Sequence, residues 1–284
     1  MAIARIFAPL SGAADSKTVA QVACDLAKRF RAQLIGCYVR KSAEPYAYFA
    51  ALDSSSALQS SLLAAATPAT NGQQEFARST FESSCRAAGV KLGANEPAPS
   101  GAWLGTLDGA RALGPAARLS DLIVVAQPRA HKNEGQMAVF DAALFHARRS
   151  VLVAHDSATG LTPKSVAIAY NGSAEAARAV TCALPFLREA QQVNILTSGR
   201  VLEGAPTAQD LIAYLAAHGI KATHRPSLEV SSTIENTLLG LAHVFDTDLL
   251  IMGAYTHSHL REKVLGGVTR FMLEKADVSV LMAH

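Results

Sequence analysis

The chain has 284 residues, half of them hydrophobic, and a formal net charge of +3. That length fits two domains of about 100–200 residues each. The mild charge argues against nucleic acid, which calls for clustered Lys and Arg. No run of about 18 apolar residues suggests a membrane span. The start, MAIARIFAPL, lacks the basic region and long apolar stretch of a signal peptide, so the chain reads as cytoplasmic. Cys24, Cys37, Cys85 and Cys182 form no CxxC pair and read as buried, reduced thiols.

In chain order, Arg5-Ile6-Phe7-Ala8-Pro9-Leu10 is an apolar strand that runs into the turn Ser11-Gly12. Asp15 or Ser16 would cap the helix that follows. Residues 41–72 then break the pattern. They hold Tyr46, Tyr48 and Phe49 and the tract SSSALQSSLLAAATPAT, which suits a helix, a lid or a loop. Residues 120–126 form a buried strand, 140–147 a helical stretch and 150–154 a further strand. Residues 155–163, small, polar and containing Gly160 and Pro163, read as a linker.

Beyond the linker, strands are expected at 165–170, 193–197, 221–226, 248–252 and 278–282. Helices are expected at 173–188 with Ser173 as N-cap, 208–218 closing at Gly219, 232–245, and 267–275. Buried apolar strands alternating with helices imply an α/β fold with a doubly wound parallel sheet, whose ligands bind beyond the carboxyl ends of the strands.

The two halves repeat each other. Ser120-Asp121-Leu122-Ile123-Val124-Val125-Ala126 matches Thr247-Asp248-Leu249-Leu250-Ile251-Met252-Gly253. Ser150-Val151-Leu152-Val153-Ala154-His155 matches Ser279-Val280-Leu281-Met282-Ala283-His284. The run from Arg5 to Gly12 matches that from Val166 to Gly172. Matching strands in the same order signal duplication, with domains at 1–156 and 163–284 and about 33 additional residues in the first, placed at 41–72.

The segment from Met252 to Arg270 follows a buried strand and enters a helix. Gly253 permits close approach, and Gly266-Gly267 leads into a helix N-terminus, where free N–H groups favour phosphate. Thr269 offers a hydroxyl, and Arg261, Lys263 and Arg270 offer positive charge. The bland alternative is a surface loop with a glycine cap.

This segment resembles the universal stress protein signature G-x2-G-x9-G-[ST]. Gly253, Thr256, Gly266 and Gly267 keep the spacing, with Thr256 in place of the second Gly and Gly267 in place of Ser or Thr. Ala169-Tyr170-Asn171-Gly172-Ser173 resembles the family's first strand and turn, with Asn171 where Asp is usual. The resemblance spans both copies, a tandem of two such domains. It implies two Rossmann-like domains of the adenine nucleotide α-hydrolase type, forming an intramolecular pseudo-dimer through their last strands, with homodimerisation also open. It further implies a stress-associated regulatory role, an undefined protein partner, and ATP, with Mg2+ as companion ion, bound in the second domain with at most slow hydrolysis. The nucleotide-binding residues would be Asn171, Ser198, Met252, Gly253, Thr256, Gly266, Gly267, Val268 and Thr269. The first domain departs further. Ala126-Gln127-Pro128-Arg129 has no signature glycine and Ser11 replaces Asp, so its site is expected not to bind nucleotide.

Other readings compete. The chain could be a protein-interaction module or hold a small apolar ligand at Tyr46, Tyr48 and Phe49. Ser11-Gly12-Ala13-Ala14-Asp15-Ser16 resembles the SGGxDS loop of ATP pyrophosphatases, with Ala13 for a key Gly. His257 with His259, and His155 with His284, form no metal pattern, and no hydrolase triad assembles. Glu262 is assigned no catalytic work.

Overall fold

The computed structural model describes residues 2–40, 56–128, 134–198, 204–227, 233–255 and 267–284, with the side chains of 56–70 and of Glu134 excepted. One sheet of eleven strands runs through the protein. The first half of the chain supplies β1 (Arg5–Leu10), β2 (Gln33–Arg40), β3 (Lys91–Leu92), β4 (Ser100–Asp108), β5 (Leu122–Ala126) and β6 (Ser150–Ala154). The second supplies β7 (Ser165–Ala169), β8 (Gln192–Thr197), β9 (Thr223–Pro226), β10 (Leu249–Gly253) and β11 (Ser279–Ala283). The order is β3-β4-β2-β1-β5-β6-β11-β10-β7-β8-β9, so the second half repeats the first in mirror sequence about a central seam.

The helices in chain order are α1 (Asp15–Phe30), α2 (Ser56–Ala88), α3 (Leu113–Ala117), α4 (Glu134–Asp141), α5 (Ala174–Glu189), α6 (Ala208–Ala217), α7 (Ile234–Val244) and α8 (Gly267–Lys275). A π-helical turn, Ala142–His146, continues α4. Two apolar cores form, one on each face of the sheet. Alternate residues of β1 divide between them: Ile6, Ala8 and Leu10 pack on one side, Phe7 on the other. Helices α1, α2, α5 and α6 cover the first face, and α3, α4, α7 and α8 the second. Burial on both faces explains why the central strands β1, β5, β6, β7, β10 and β11 read as unbroken apolar runs.

All strand pairs are parallel except at the seam, where β6 and β11 run antiparallel with Val151 opposite Met282, Leu152 opposite Leu281 and Val153 opposite Val280. Each strand would otherwise be a bare sheet edge with unpaired N–H and C=O groups, and the pairing satisfies both. The seam is reinforced where Phe30 of α1 meets Phe186 of α5 edge-on at 5.1 Å and Arg29 bridges to Glu189. The connection from β6 to β7 is strapped onto α1, with Leu161 N–H donating to Asp25 Oδ2 at 2.9 Å and Arg29 donating to the Leu161 carbonyl.

The repeated Asp has a shared task. Asp121 Oδ2 accepts from the N–H groups of Ala4 and Arg5 at 2.8 and 2.9 Å, and Asp248 Oδ2 from those of Lys164 and Ser165 at 2.7 and 2.9 Å. In each half, one carboxylate pins the start of the central strand. Asp248→Ala is expected to lower stability by about 1–3 kcal/mol, the range for lost charge-assisted bonds, and Asp248→Asn by less; urea unfolding measures both.

The extra length of the first half lies largely in α2, 33 residues long, whereas its counterpart between β8 and β9, α6, has 10. Ala77, Phe81 and Cys85 of α2 are fully buried at i, i+4 spacing, against α1 and β2. Tyr46, Tyr48 and Phe49 lie outside the described residues. Helix α1 starts differently from expectation. Its N-cap is Ala14, without a side-chain cap; Ser16 Oγ instead accepts from Gly12 N–H at 3.0 Å, while the Asp15 carboxylate accepts from Ser11. The tight turn turns these side chains back on itself rather than onto the helix N–H groups.

The four cysteines are free; three are buried, and Cys24 and Cys85 place their sulfurs 3.5 Å apart between α1 and α2. Among the described residues no helix is long and apolar enough to cross a membrane, and no cluster of metal-ligating side chains occurs.

Candidate functional site

In the second half, β7 is flanked by β8 on one side and β10 on the other. The chain leaves β7 through α5 toward β8 and comes back later to β10 on the opposite flank. Strand order therefore reverses at β7, and the carboxyl ends of β7 and β10 mark the position where doubly wound sheets bind ligands. Asn171, Gly172, Ser198 and Gly253 all sit at this end of the sheet.

The first wall is the turn into α5. Gly172 has φ of +80°, a conformation that disfavours any side chain. Asn171 Oδ1 accepts from Ser173 N–H at 3.1 Å, and Ser173, the N-cap, accepts from Ala176 N–H at 3.1 Å. The Asn171 carbonyl oxygen is thus held in the turn, which leaves its NH2, a donor, for a ligand.

The second wall is the end of β10. A Cβ on Gly253 would stand 2.6 Å from Ala176 N and 2.8 Å from Glu175 C. The glycine lets β10 approach the first turn of α5. Two residues on, Tyr255 N–H donates to Thr269 Oγ1 at 3.3 Å, in the first turn of α8. Residues 253–255 therefore lie between the N-terminal turns of two helices.

Those two N-termini differ electrically. Helix α5 carries Glu175 in its first turn, a negative charge that answers the helix dipole. Helix α8 has no acidic residue in its first turn, and Gly267 at its start is exposed, with no atom of the described residues within 4 Å of the position a Cβ would take. Of the two, the end of α8 is the one whose first turn carries no negative charge to oppose an anion.

The expected site residues are thus distributed unequally. Gly267 is exposed; Val268 and Ser198 are partly so. Met252 is 5% exposed with its side chain in the core, so it faces the switch point by backbone alone. Thr269 is 4% exposed and accepts from Tyr255, which gives it a bracing role at the base of the loop. Arg270 pairs with Glu274 at 2.7 Å, so its charge is already answered. Thr256, Gly266, His257, His259, Arg261, Glu262 and Lys263 lie outside the described residues. His284 ends the chain with Nδ1 3.0 Å from the Ala254 carbonyl, and His155 engages Ser157 at 2.8 Å.

Sequence reasoning missed Tyr255. It has φ of +61°, rare for a side chain of that bulk, and its hydroxyl donates to Asp141 Oδ1 across the seam at 3.4 Å. Burial pushes the Asp141 carboxyl above the usual range, although the Tyr255 hydrogen bond and nearby His146 pull the other way. Burial, and then the negative charge of Asp141, push the Tyr255 phenol up. No spacing or composition marks either residue.

The corresponding region of the first half is filled by its own side chains. A Cβ on Gly12, whose φ is +73°, would meet the Gln73 carbonyl at 2.5 Å, because α2 lies directly over this turn. Gln73 is held by Tyr38, whose hydroxyl donates to Oε1 at 3.0 Å. Ser11 donates to Asp15, Gly12 N–H donates to Ser16, and Gln136 of α4 donates to the other Asp15 oxygen. The groups that would form a pyrophosphatase-like loop are consumed within it.

The molecule is thus a tandem doubly wound α/β protein with a switch point in each half, the first filled by its own residues and the second beside the N-terminus of α8. No family model and no curated protein matches the sequence. The structure is similar to that of a universal stress protein from Archaeoglobus fulgidus DSM 4304, with 19% identity and a TM-score of 0.65 over 98% of this chain and 97% of that one. It is also similar to a putative universal stress protein from Pseudomonas aeruginosa UCBPP-PA14, with 13% identity and a TM-score of 0.53 over 99% and 92%. The cytoplasmic domain of a prokaryotic cation chloride cotransporter matches at 10% identity and a TM-score of 0.52 over 100% and 95%. The chain has the universal stress protein fold, as the resemblance in its sequence implies.

Proposed function

We propose that this chain is a stress-associated regulatory protein of the universal stress type, working in the cytoplasm. Its second domain, residues 163–284, holds ATP or a related adenosine nucleotide, while the first, 1–156, does not. One observation carries the proposal: the N-terminus of α8, beside the switch point, has an exposed Gly267 and no acidic residue in its first turn. An aligned helix end with free N–H groups attracts polyphosphate, and the absence of a side chain at Gly267 leaves room for it. The nucleoside would extend toward Asn171 and Ser198, with backbone groups of Met252, Gly253, Thr256, Gly266, Gly267 and Val268 around the phosphates and Thr269 bracing from beneath. Among the described residues no carboxylate cluster is built for Mg2+, so the ion would arrive with the phosphates. We assign no catalytic residue; the proposal is binding. Closure of the first turn by Gln73 and Gln136 supports confinement to one domain.

Calorimetric titration with ATP tests this, using Gly267→Glu as the paired variant. The position is open among the described residues, so the side chain fits, and a carboxylate in the first turn suits the helix dipole. Folding stability is therefore expected to hold or rise slightly. ATP affinity is expected to fall about tenfold or more, because the new charge occupies the phosphate's place. Saturable binding with one nucleotide per chain is the expected result for the unaltered protein; no saturation, or two sites, overturns the reading.

The fold shared with a transporter's cytoplasmic domain favours one second reading, an interaction module without nucleotide. It predicts no ATP heat in either protein.

A further inference from the structure

Helices α1 and α2 meet on the first face of the sheet, and each places a cysteine at the contact. Cys24 of α1 and Cys85 of α2 are both buried, with their sulfurs 3.5 Å apart and one thiol donating to the other. The two stand 61 positions apart in the sequence, so only the fold brings them together. The sheet beneath makes room for them. A Cβ on Gly101 of β4 would stand 2.9 Å from Cys85 Sγ, and 3.4 Å from the ring of Phe81, one turn earlier on α2. The other two cysteines lie elsewhere. Cys37 of β2 belongs to the core on the opposite face, and Cys182 belongs to α5 in the second half.

Two thiols in contact either remain a hydrogen-bonded pair or close into a disulfide, whose sulfurs stand about 2.0 Å apart. From 3.5 Å, closure needs an approach of about 1.5 Å, which side-chain rotation and a small give between the two helices supply. While the helices stay packed, the pair is quiet. The hydrogen bond with Cys85, and then burial, push the Cys24 thiol above its ordinary range, and the negative charge of Asp25 acts the same way. The thiolate is the nucleophile, so oxidation waits for α2 to lift from α1 and admit water. Helix α2 is also the cover of the first half's turn, through the backbone of Gln73 against Gly12. A bond between Cys24 and Cys85 would fasten that cover.

We propose that Cys24 and Cys85 are a redox-active pair, which a hydroperoxide oxidises to a disulfide that clamps α2 onto α1. One sulfur, as thiolate, attacks the peroxide O–O bond. It takes up one oxygen as a sulfenic acid, and the other oxygen leaves as hydroxide and is protonated to water. The second sulfur then attacks the sulfenic sulfur. The S–S bond forms, the S–O bond breaks, and the oxygen departs as water with the second thiol's proton. Two thiols lose two electrons in all, and one hydrogen peroxide becomes two waters. Proximity of the second thiol favours this closure over further oxidation of the first. Where the surroundings are reducing, such a bond is transient and reports oxidant rather than serving as a permanent staple. The inference gives the first half, closed to nucleotide, a task of its own, and it holds whether or not the second half binds ATP.

The test treats the full chain with hydrogen peroxide at neutral pH, quenches it, and counts free thiols in denaturant. The four free thiols are expected to fall to two, with one peptide pair linked through Cys24 and Cys85 in the unreduced digest, and dithiothreitol is expected to restore all four. Closing a loop of 61 positions restricts the unfolded chain, so the oxidised protein should melt about 5 °C higher or more. Amide exchange at Gly12 and Ala13 should slow at the same time. Phe81→Ala, which loosens α2, should form the linkage about fivefold faster or more, since opening limits the reaction. Cys182→Ser should form it at the unaltered rate, and Cys85→Ala should form no intramolecular linkage. Four thiols surviving peroxide that fully oxidises free cysteine would overturn the proposal. So would sulfinic acid in place of the linkage, or a linkage through Cys37 or Cys182. A linkage that leaves both melting and exchange unchanged would refute the clamp.

Discussion

Gly253→Val is expected to lower stability by about 3 kcal/mol, near the upper end of overpacking substitutions. The new Cβ would lie 2.6 Å from Ala176 N, 2.8 Å from Glu175 C and 2.9 Å from Glu175 Cβ. Two of these three are backbone atoms in the first turn of α5 and cannot rotate aside. Neither element yields easily. Strand β10 is paired on both sides, to β7 and to β11, and α5 lies on the sheet through Ala176, Ala179, Val180 and Ala183, all buried. Relief requires lifting the helix from the strand, which opens space along their contact. Thermal unfolding should register a loss of about 6–12 °C at this chain length. Gly267→Val, at the open position, serves as control and should melt close to the unaltered protein. Equal melting of Gly253→Val and the unaltered protein would refute the tight approach. The signature glycine therefore has a task apart from any ligand: it seats the helix that forms the first wall of the switch point.

That task shows where sequence reading stopped. The spacing of Gly253, Gly266 and Gly267 was legible, and so was the position of Gly253 at a strand's carboxyl end. Its neighbour was not, because Glu175 and Ala176 lie far away in sequence and no periodicity reports a helix-to-strand distance. Strands of the second half were read well because parallel strands buried on both faces are continuous apolar runs, whereas β2, β3 and β4 of the first half were not read. Helix α5 was legible from Ser173, whose side chain caps it as expected, and the end of α6 from Gly219, at φ of +75°. Helix α2 was one of three readings of its Ala- and Ser-rich tract, which offers no clear apolar face, and its anchors, Ala77, Phe81 and Cys85, fall beyond the tract taken as an insert. Asp121 and Asp248 served as landmarks of duplication, but the reason for their recurrence, two backbone N–H groups each, emerged only with the fold. Tyr255 and Gln127 were illegible for one reason. Each works through a partner in the other half, brought near by the pairing of β6 with β11.

Phe81→Ala is expected to destabilise the first half by about 3–5 kcal/mol, the range for truncating a fully buried phenylalanine. The ring is 0% exposed. It fills the space over Gly36, where a Cβ would come within 2.4 Å of Cδ2, and reaches within 3.4 Å of the corresponding position on Gly101. Trp103 lies 5.5 Å from it, ring centre to ring centre. Two glycines beneath the ring mean that no side chain there can move in to fill the void, so the loss should fall toward the upper end of the range. Gly36→Ala in the Phe81→Ala background refills part of the cavity and should recover stability, although alone it clashes with the ring; that reversal of sign is the discriminating measurement in urea unfolding. The consequence extends along α2. Gln73 stands about two turns earlier on the same helix, with its backbone against Gly12. Loosening the Phe81 anchor should speed amide exchange at Gly12 and Ala13 before the whole protein unfolds. Because Ser11, Asp15, Ser16 and Gln136 still satisfy one another within that turn, uncovering it should not create a second nucleotide site, and one ATP per chain should remain the stoichiometry. A second site appearing in Phe81→Ala would mean that α2 alone, and not the chemistry of the turn, keeps the first half closed.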